Sequence, residues 1–399
     1  MSPKPVKIGA AQRRARLGVR HHLAAPGPSP EEITASLLAL HATDPATVYL
    51  TVAARSPGTV PDVERALYED RALVRMLGMR RTVFVFDVET AGIVQAACTD
   101  DVAVKEHRHL VKHLTELGHP EPVADAEAWL AEVVESAARA LGKRGAAFAQ
   151  DLTADEPRLK QQLRMAPGKP YESVGAITSR VLFLLAATGR AVRGRPRGSW
   201  LSTQYRWSTI EGWLGSALPE WQAEDARAEL AKRWLRAFGP APVTDLRWWT
   251  GWTAAQAKKA LARLDVVEAD LDGQQGIVLA DDVDDTAPVA EQPPWVALLP
   301  ALDPTPMGWS DRGWYLGEHK EALFDRTGNI GPSVWSDGRI VGGWAQRPGG
   351  EVVFRLLSGV GAEAEAAIGA EADRLTRWLG ETRVTPKFRT PLERELASS

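Results

Sequence analysis

Apolar residues recur at helical spacing in stretches separated by turn-rich breaks, and the order of those stretches predicts the architecture. Ser29-Pro30-Glu31-Glu32 combines an N-cap residue, a first-position proline and an acidic first turn. Ile33, Leu37, Leu38 and Leu40 give the helix it opens an apolar face ending near His41. Past Asp44-Pro45 comes a short apolar stretch at 48–54, then a third helix from Pro61-Asp62 through Val63, Ala66 and Leu67. Residues 81–86, rich in β-branched and aromatic side chains, read as a strand. Short helices followed by a strand predict a winged-helix module.

The pattern recurs twice. Helices are expected at 125–141, 153–163 and 173–187, before a basic, turn-rich hairpin at 189–197 that would suit a wing. The third round has helices at 221–238, from Val243, and at 253–264, the last capped by Thr253. Alternating strands at 266–271 and 276–279 follow around Asp272-Gly273, a hairpin signal. From Trp295 short strands alternate with turns at 303–304, 311–313, 326–329 and 336–338, which predicts a small antiparallel sheet or barrel. An amphipathic helix at 362–379 carries Ile368, Leu375 and Trp378, and a tail that passes from ordered to frayed follows Pro386. The expected fold class is therefore α+β: three tandem winged-helix units at 1–120, 121–215 and 216–292, with a β-rich, barrel-like scaffold at 293–399.

Composition narrows the class. A chain of 399 residues, 44% hydrophobic and 25% charged, has the balance of a soluble protein of two to three domains. Cys98 is the only cysteine, which excludes an intramolecular disulfide and a cysteine-ligated zinc or iron–sulfur centre. The longest strongly apolar run, 181–189, lies between Arg180 and Arg190 and falls far short of the roughly 20 residues that cross a bilayer. The basic N-terminus lacks the apolar stretch of a secretory signal, so a cytoplasmic location is expected.

Charge is unevenly distributed. Residues 1–30 hold Lys4, Lys7, Arg13, Arg14, Arg16 and Arg20 and no acid. Residues 157–207 hold ten Lys or Arg against the single Glu172, whereas 265–292 hold nine acids and no base. A local basic face is what neutralises a phosphate backbone and releases its counterions. Taken singly, each such run also reads as a solvated face.

Motifs exclude more than they assign. The chain has no Walker loop, no complete G-x-G-x-x-G, no G-x-S-x-G and no H-E-x-x-H. His109 and His113 share a helical face at a metal-ligand spacing, but the surrounding Lys105, Arg108 and Lys112 and the lack of a carboxylate in register favour a solvated or phosphate-facing helix. His21-His22 reads the same way, and the many tryptophans read as core. No metal or cofactor is expected. His41 and Thr43 flank Ala42 at the end of an apolar helix; in extended backbone, alternation would point both side chains toward one water. A histidine capping the helix C-terminus is the competing reading.

Several stretches resemble the AlkZ/YcaQ-like winged-helix DNA glycosylases, a bacterial family: 37–55 (LLALHATDPATVYLTVAAR), 77–85 (LGMRRTVFV), 245–251 (DLRWWTG), 298–309 (LLPALDPTPMGW) and above all 322–346 (ALFDRTGNIGPSVWSDGRIVGGWAQ). The resemblance spans most of the chain. It implies three winged-helix units on a β-rich scaffold and excision of alkylated, often bulky, purines from double-stranded DNA without a metal or organic cofactor. The family's catalytic motif is Gln, an apolar residue, then Gln, followed by Asp-Pro; here the matching positions are His41, Ala42 and Thr43, followed by Asp44-Pro45.

An N-alkylated purine is already a cationic leaving group, so the enzyme must stabilise an oxocarbenium-like sugar and place water at C1′. Neutral His41 would accept the water proton and Thr43 orient it, with Asp44 adding negative potential or bracing the Asp-Pro turn. Arg13, Arg14, Arg20, Arg80, Arg81, Arg190, Arg193, Arg195 and Arg197 are the candidate phosphate contacts. The reading is a monomeric, monofunctional DNA glycosylase. Its rivals are a non-catalytic winged-helix regulator or damage-recognition factor, and an enzyme acting on some other substrate.

Overall fold

A computed structural model describes residues 4–283 and 293–398. The end of the acidic run, 284–292, lies outside the described residues. Ser29 caps helix Pro30–Ser36 by accepting from Glu32 N, as the sequence implied. The helix then stops earlier than its apolar face suggested. Leu38 takes φ +63°, turning the chain, and Leu40–His41 becomes a strand paired with Val83–Asp87, which also pairs with Leu73–Leu77. His41 is therefore no helix cap. The apolar stretch after Asp44-Pro45 is itself a helix, Pro45–Ala53, every residue of which is buried.

The middle of the chain also departs from its pattern. Residues 153–163 end helix Ala149–Asp155, pass through a 3-10 turn at Pro157–Lys160 and enter strand Gln162–Met165. Residues 173–187 divide into strand Ser173–Ala176 and helix Thr178–Ala187. The two strands pair as an antiparallel hairpin, with Tyr171 73% and Val174 45% exposed. The basic segment does form a ribbon, Ala191–Pro196 against Tyr205–Thr209. In the third round, helices Ala223–Phe238, Val243–Thr250 and Ala254–Leu261 precede the hairpin Val266–Leu271 and Gln274–Leu279. Val6–Lys7 adds to that hairpin in parallel, tying the N-terminus to it.

The expected barrel does not form: among the described residues no sheet closes. Val296–Leu299, Ser333–Ser336, Arg339–Gln346 and Val352–Leu356 make an open four-stranded meander. Both of its faces are buried, so nothing drives it to curl. Leu298, Val334, Val341 and Trp344 pack on helix Ala362–Leu379 through Ile368, Leu375 and Leu379. Ala297, Leu299, Trp335 and Ile340 face the main core, which Leu392 and Leu396 of a last helix, Pro391–Ser398, also enter. The tail, expected to pass from ordered to frayed, holds that helix to residue 398. At roughly 1.5–3 kcal/mol for a fully buried large aliphatic side chain, Leu392 and Leu396 suffice to dock it.

Candidate functional site

The strand Leu40–His41 is prolonged by Ala42 N donating to Val83 O, so extended backbone carries His41 and Thr43 to one side. Thr43 N donates to His41 Nδ1 at 3.4 Å, and the imidazole stands edge-on to Phe84 with ring centroids 5.2 Å apart. Both residues are half-buried. Burial first, and the charge of Arg80 second, push the His41 pKa down to about 3. The ring is neutral near pH 7. With Nδ1 accepting, the proton of that neutral ring sits on Nε2, which makes Nε2 a donor.

Asp44 is buried and both its oxygens are taken. Oδ1 accepts from Ala46 N at 3.1 Å, capping helix Pro45–Ala53, and Oδ2 accepts from Lys387 N at 2.8 Å. Burial raises its pKa, partly offset by those two amides and by the Lys387 charge. That helix is tied down again by Thr47 Oγ1 on Ala301 O at 2.8 Å. Just past it, Arg55 meets Asp303 through Nη1 at 2.8 Å and Nη2 at 2.7 Å, both side chains fully buried. Thr51 and Thr305 complete the shell of Asp303.

His21, read as solvated, is also fully buried in this network, with Nδ1 2.9 Å from Thr305 Oγ1 and Nε2 3.0 Å from Ala237 O. Its pKa is pushed down to about 3 by burial, then by Arg55. By contrast His109 is exposed beside Glu106, and no group of metal ligands occurs among the described residues.

The expected phosphate contacts separate into classes. Arg13 is buried over Trp314, its guanidinium 4.0 Å from the ring centroid, and burial lowers its pKa to about 10. Arg14 donates to Trp314 O at 2.8 Å, and Arg20 reaches Gly239 O and Asp282. Arg81 pairs with Glu106, Arg190 with Glu135, and Arg195 with Glu64 and Glu69. Arg193 and Arg197 have no carboxylate partner among the described residues; they stack on Tyr205 and Trp207, and on Phe148. Arg80 is exposed, lies over Trp248 at 4.3 Å and is the residue whose charge reaches His41. It crosses Gly251, φ +79°, where a Cβ would sit 3.1 Å from Arg80 Cγ. Arg80 and Arg81 themselves hold φ +53° and +62°.

Sequence reasoning missed Trp248 and Arg312 beside Arg80, because the pairing Arg80–Trp248–Arg312 joins residues far apart in the chain. It also missed Arg75, fully buried between Tyr68, whose hydroxyl accepts from Nη1 at 3.2 Å, and the Tyr205 ring at 4.8 Å. A cavity of about 680 Å³, bordered by Arg139, Arg190 and Trp221, does not have His41 in its wall.

Residues 34–378 match the family model described as DNA glycosylase AlkZ-like. Among solved structures, Streptomyces sahachiroi DNA glycosylase AlkZ is similar with a TM-score of 0.70 at 21% identity, over 95% of this chain and 99% of that one. That likeness is one of fold. No curated protein matches the chain in sequence.

Proposed function

The chain belongs to the AlkZ-like DNA glycosylase family, and from that premise we propose that it is a cytoplasmic, monomeric repair enzyme hydrolysing the N-glycosidic bond of alkylated purines in double-stranded DNA. Three winged-helix units carry the duplex in this reading, and His41 with Thr43 holds the water. The observation that supports it is the pair itself: a neutral imidazole and a hydroxyl two positions apart on extended backbone, beside an exposed arginine.

The chemistry follows from the site's charge. The C1′–N bond breaks with its electron pair going to the cationic purine, which leaves neutral. Water then adds to the oxocarbenium-like C1′ and gives its second proton to solvent. A His41 with a pKa of about 3 is a poor base, and Nε2 carries a hydrogen, so it orients that water by donating to its oxygen. Being neutral, it does not repel the sugar cation. Thr43 Oγ1 has no partner among the described residues and accepts from the same water. Asp44 acts as the brace of this loop, its oxygens occupied by two amides.

The test is release of 7-methylguanine from a duplex, read as abasic sites. His41→Ala is expected to lose about 10²–10³ in rate with DNA affinity unchanged, the scale of removing one positioned polar group from an active site. Release by the variant equal to that of wild type removes His41 from the mechanism; no release by either, with DNA binding intact, points to a non-catalytic damage-recognition factor.

A further inference from the structure

Two half-buried aromatic rings each hold a pair of arginines, and among the described residues neither pair has a carboxylate within ion-pair distance. Arg80 and Arg312 lie over Trp248, 4.3 and 5.2 Å from the ring centroid. Arg197 and Arg206 lie over Phe148 at 4.0 and 5.3 Å. The first station adjoins His41, whose imidazole senses the Arg80 charge. The second lies at the basic ribbon, where Arg197 follows strand Ala191–Pro196 and Arg206 belongs to Tyr205–Thr209.

Other arginines of the ribbon and its surroundings are neutralised: Arg81 by Glu106, Arg190 by Glu135 and Arg195 by Glu64 and Glu69. Among the described residues these two pairs, each gathered on one ring, have no such compensation. Two guanidiniums drawn to one ring repel each other, and Arg312's charge, after burial, lowers the pKa of Arg80. Stacking holds each side chain in place. Among the described residues the forks of Arg80, Arg197 and Arg206 have no side-chain hydrogen bond, which leaves their edges for bidentate oxygen contacts. Arg312, by contrast, also lies 4.9 Å over Phe324 and brings Nη2 to 3.8 Å from Met307 Sδ. Arg312 is further fixed by Nε on Pro306 O at 3.2 Å. An anion carrying two charged oxygens would satisfy both forks and relieve the repulsion, and among the described residues no carboxylate of the protein takes that position.

We propose that the Arg80–Trp248–Arg312 and Arg197–Phe148–Arg206 stations are the sites that bind DNA backbone phosphates, one beside His41 and one on the basic ribbon, and that the acid-paired Arg190 and Arg195 are not. The proposal rests on the duplex-binding reading above and adds which arginines carry it. A phosphate at the first station places the sugar of the damaged nucleotide next to the water held by His41 and Thr43. The acid-paired arginines fix the ribbon to Glu64, Glu69 and Glu135 instead.

The experiment is a titration of a labelled, undamaged duplex by the full chain at salt concentrations between ~50 and ~200 mM, with log K plotted against log salt. Arg80→Gln and Arg197→Gln are each expected to flatten the slope by about 0.9 and weaken binding about tenfold near 0.1 M salt. Arg80→Lys keeps the charge and the slope, and thermal midpoints of all variants are read alongside to show that they fold. Arg190→Gln and Arg195→Gln leave the slope unchanged. A wild-type slope in the double variant Arg80→Gln/Arg197→Gln, or a slope carried by Arg190 and Arg195, overturns the proposal. Base release is scored separately on alkylated duplex. A wild type that binds through these stations yet releases nothing sinks the glycosylase reading and leaves the stations standing; release together with an unchanged slope in the double variant sinks the stations alone.

Discussion

Lowering the pH is the cleanest perturbation of the proposed water site. An ordinary histidine, with a pKa of about 6.5, is ~97% protonated at about pH 5. His41, held at about 3 by burial and by Arg80, is ~1% protonated there. If His41 must be neutral, catalysed base release differs about thirtyfold between the two cases at that pH. The assay is single-turnover release of 7-methylguanine with enzyme in excess, corrected for spontaneous depurination, from about pH 4.5 to 8. The expected profile is flat across that range. Arg80→Gln removes the lesser of the two causes, so its acid limb moves upward toward the ordinary value without reaching it. A wild-type rate that halves between about pH 6 and 7, with the limb lost in His41→Ala, would falsify the reasoning, because it would mean that the imidazole is solvated and chargeable in the working enzyme.

Stability should follow the same sign. The folded-state pKa values of His21 and His41 are depressed, so the unfolded chain takes up those protons first; their contribution is complete above about pH 6.5 and is lost as pH falls toward 3, while the raised carboxyls of Asp44 and Asp245 act oppositely. A thermal midpoint that rises steadily on acidification from pH 7 to 5 would contradict this. Asp303→Asn leaves Arg55 buried without its counter-charge and is expected to cost about 3–5 kcal/mol. At about 2.1 cal/mol/K per residue that is ~4–6 °C of melting temperature for a chain of this length, and calorimetry finding a shift under ~1 °C would refute it. Arg75→Met is predicted to be neutral or stabilising, since Arg75 is fully buried with no carboxylate and with Nε and Nη2 unpartnered; a fall of more than ~3 °C would show that its tyrosine contacts outweigh that cost. Thr43→Ala should lower the release rate about tenfold with an unchanged midpoint, whereas Thr43→Ser should restore it.

Local chemistry was legible where one segment decided the outcome. The caps at Ser29 and Thr253, the hairpin around Asp272-Gly273 and the cap that Asp44 places on the helix from Pro45 are all written in adjacent residues. The strand at His41 was not, because Leu37, Leu38 and Leu40 continue a helical pattern and only pairing with Val83–Asp87 claims the backbone. The hairpin at 162–176 was missed for a related reason: Ser173–Ala176 is exposed throughout and has no alternation to betray a strand. Charge counts located the basic ribbon but said nothing of Glu64, Glu69 and Glu135, which reach it from other elements. Likewise His21 looked solvated beside its basic neighbours until folding enclosed it with Arg55 and Thr305.

The amide of Lys387 that holds Asp44 lies 343 positions further along the chain, and helix Ala362–Leu379 reaches the same region through Arg374 on Ala53 O and Trp378 on Gly58 O. The loop that carries His41 and Thr43 is thus seated by segments from both halves of the chain, and its geometry is set only once residues 362–387 have folded onto helix Pro45–Ala53 and its neighbours. Removing the residues after Pro386 takes away that amide together with helix Pro391–Ser398, whose Leu392 and Leu396 are buried in the main core, so the loss would be felt in stability as well as in the loop at Asp44.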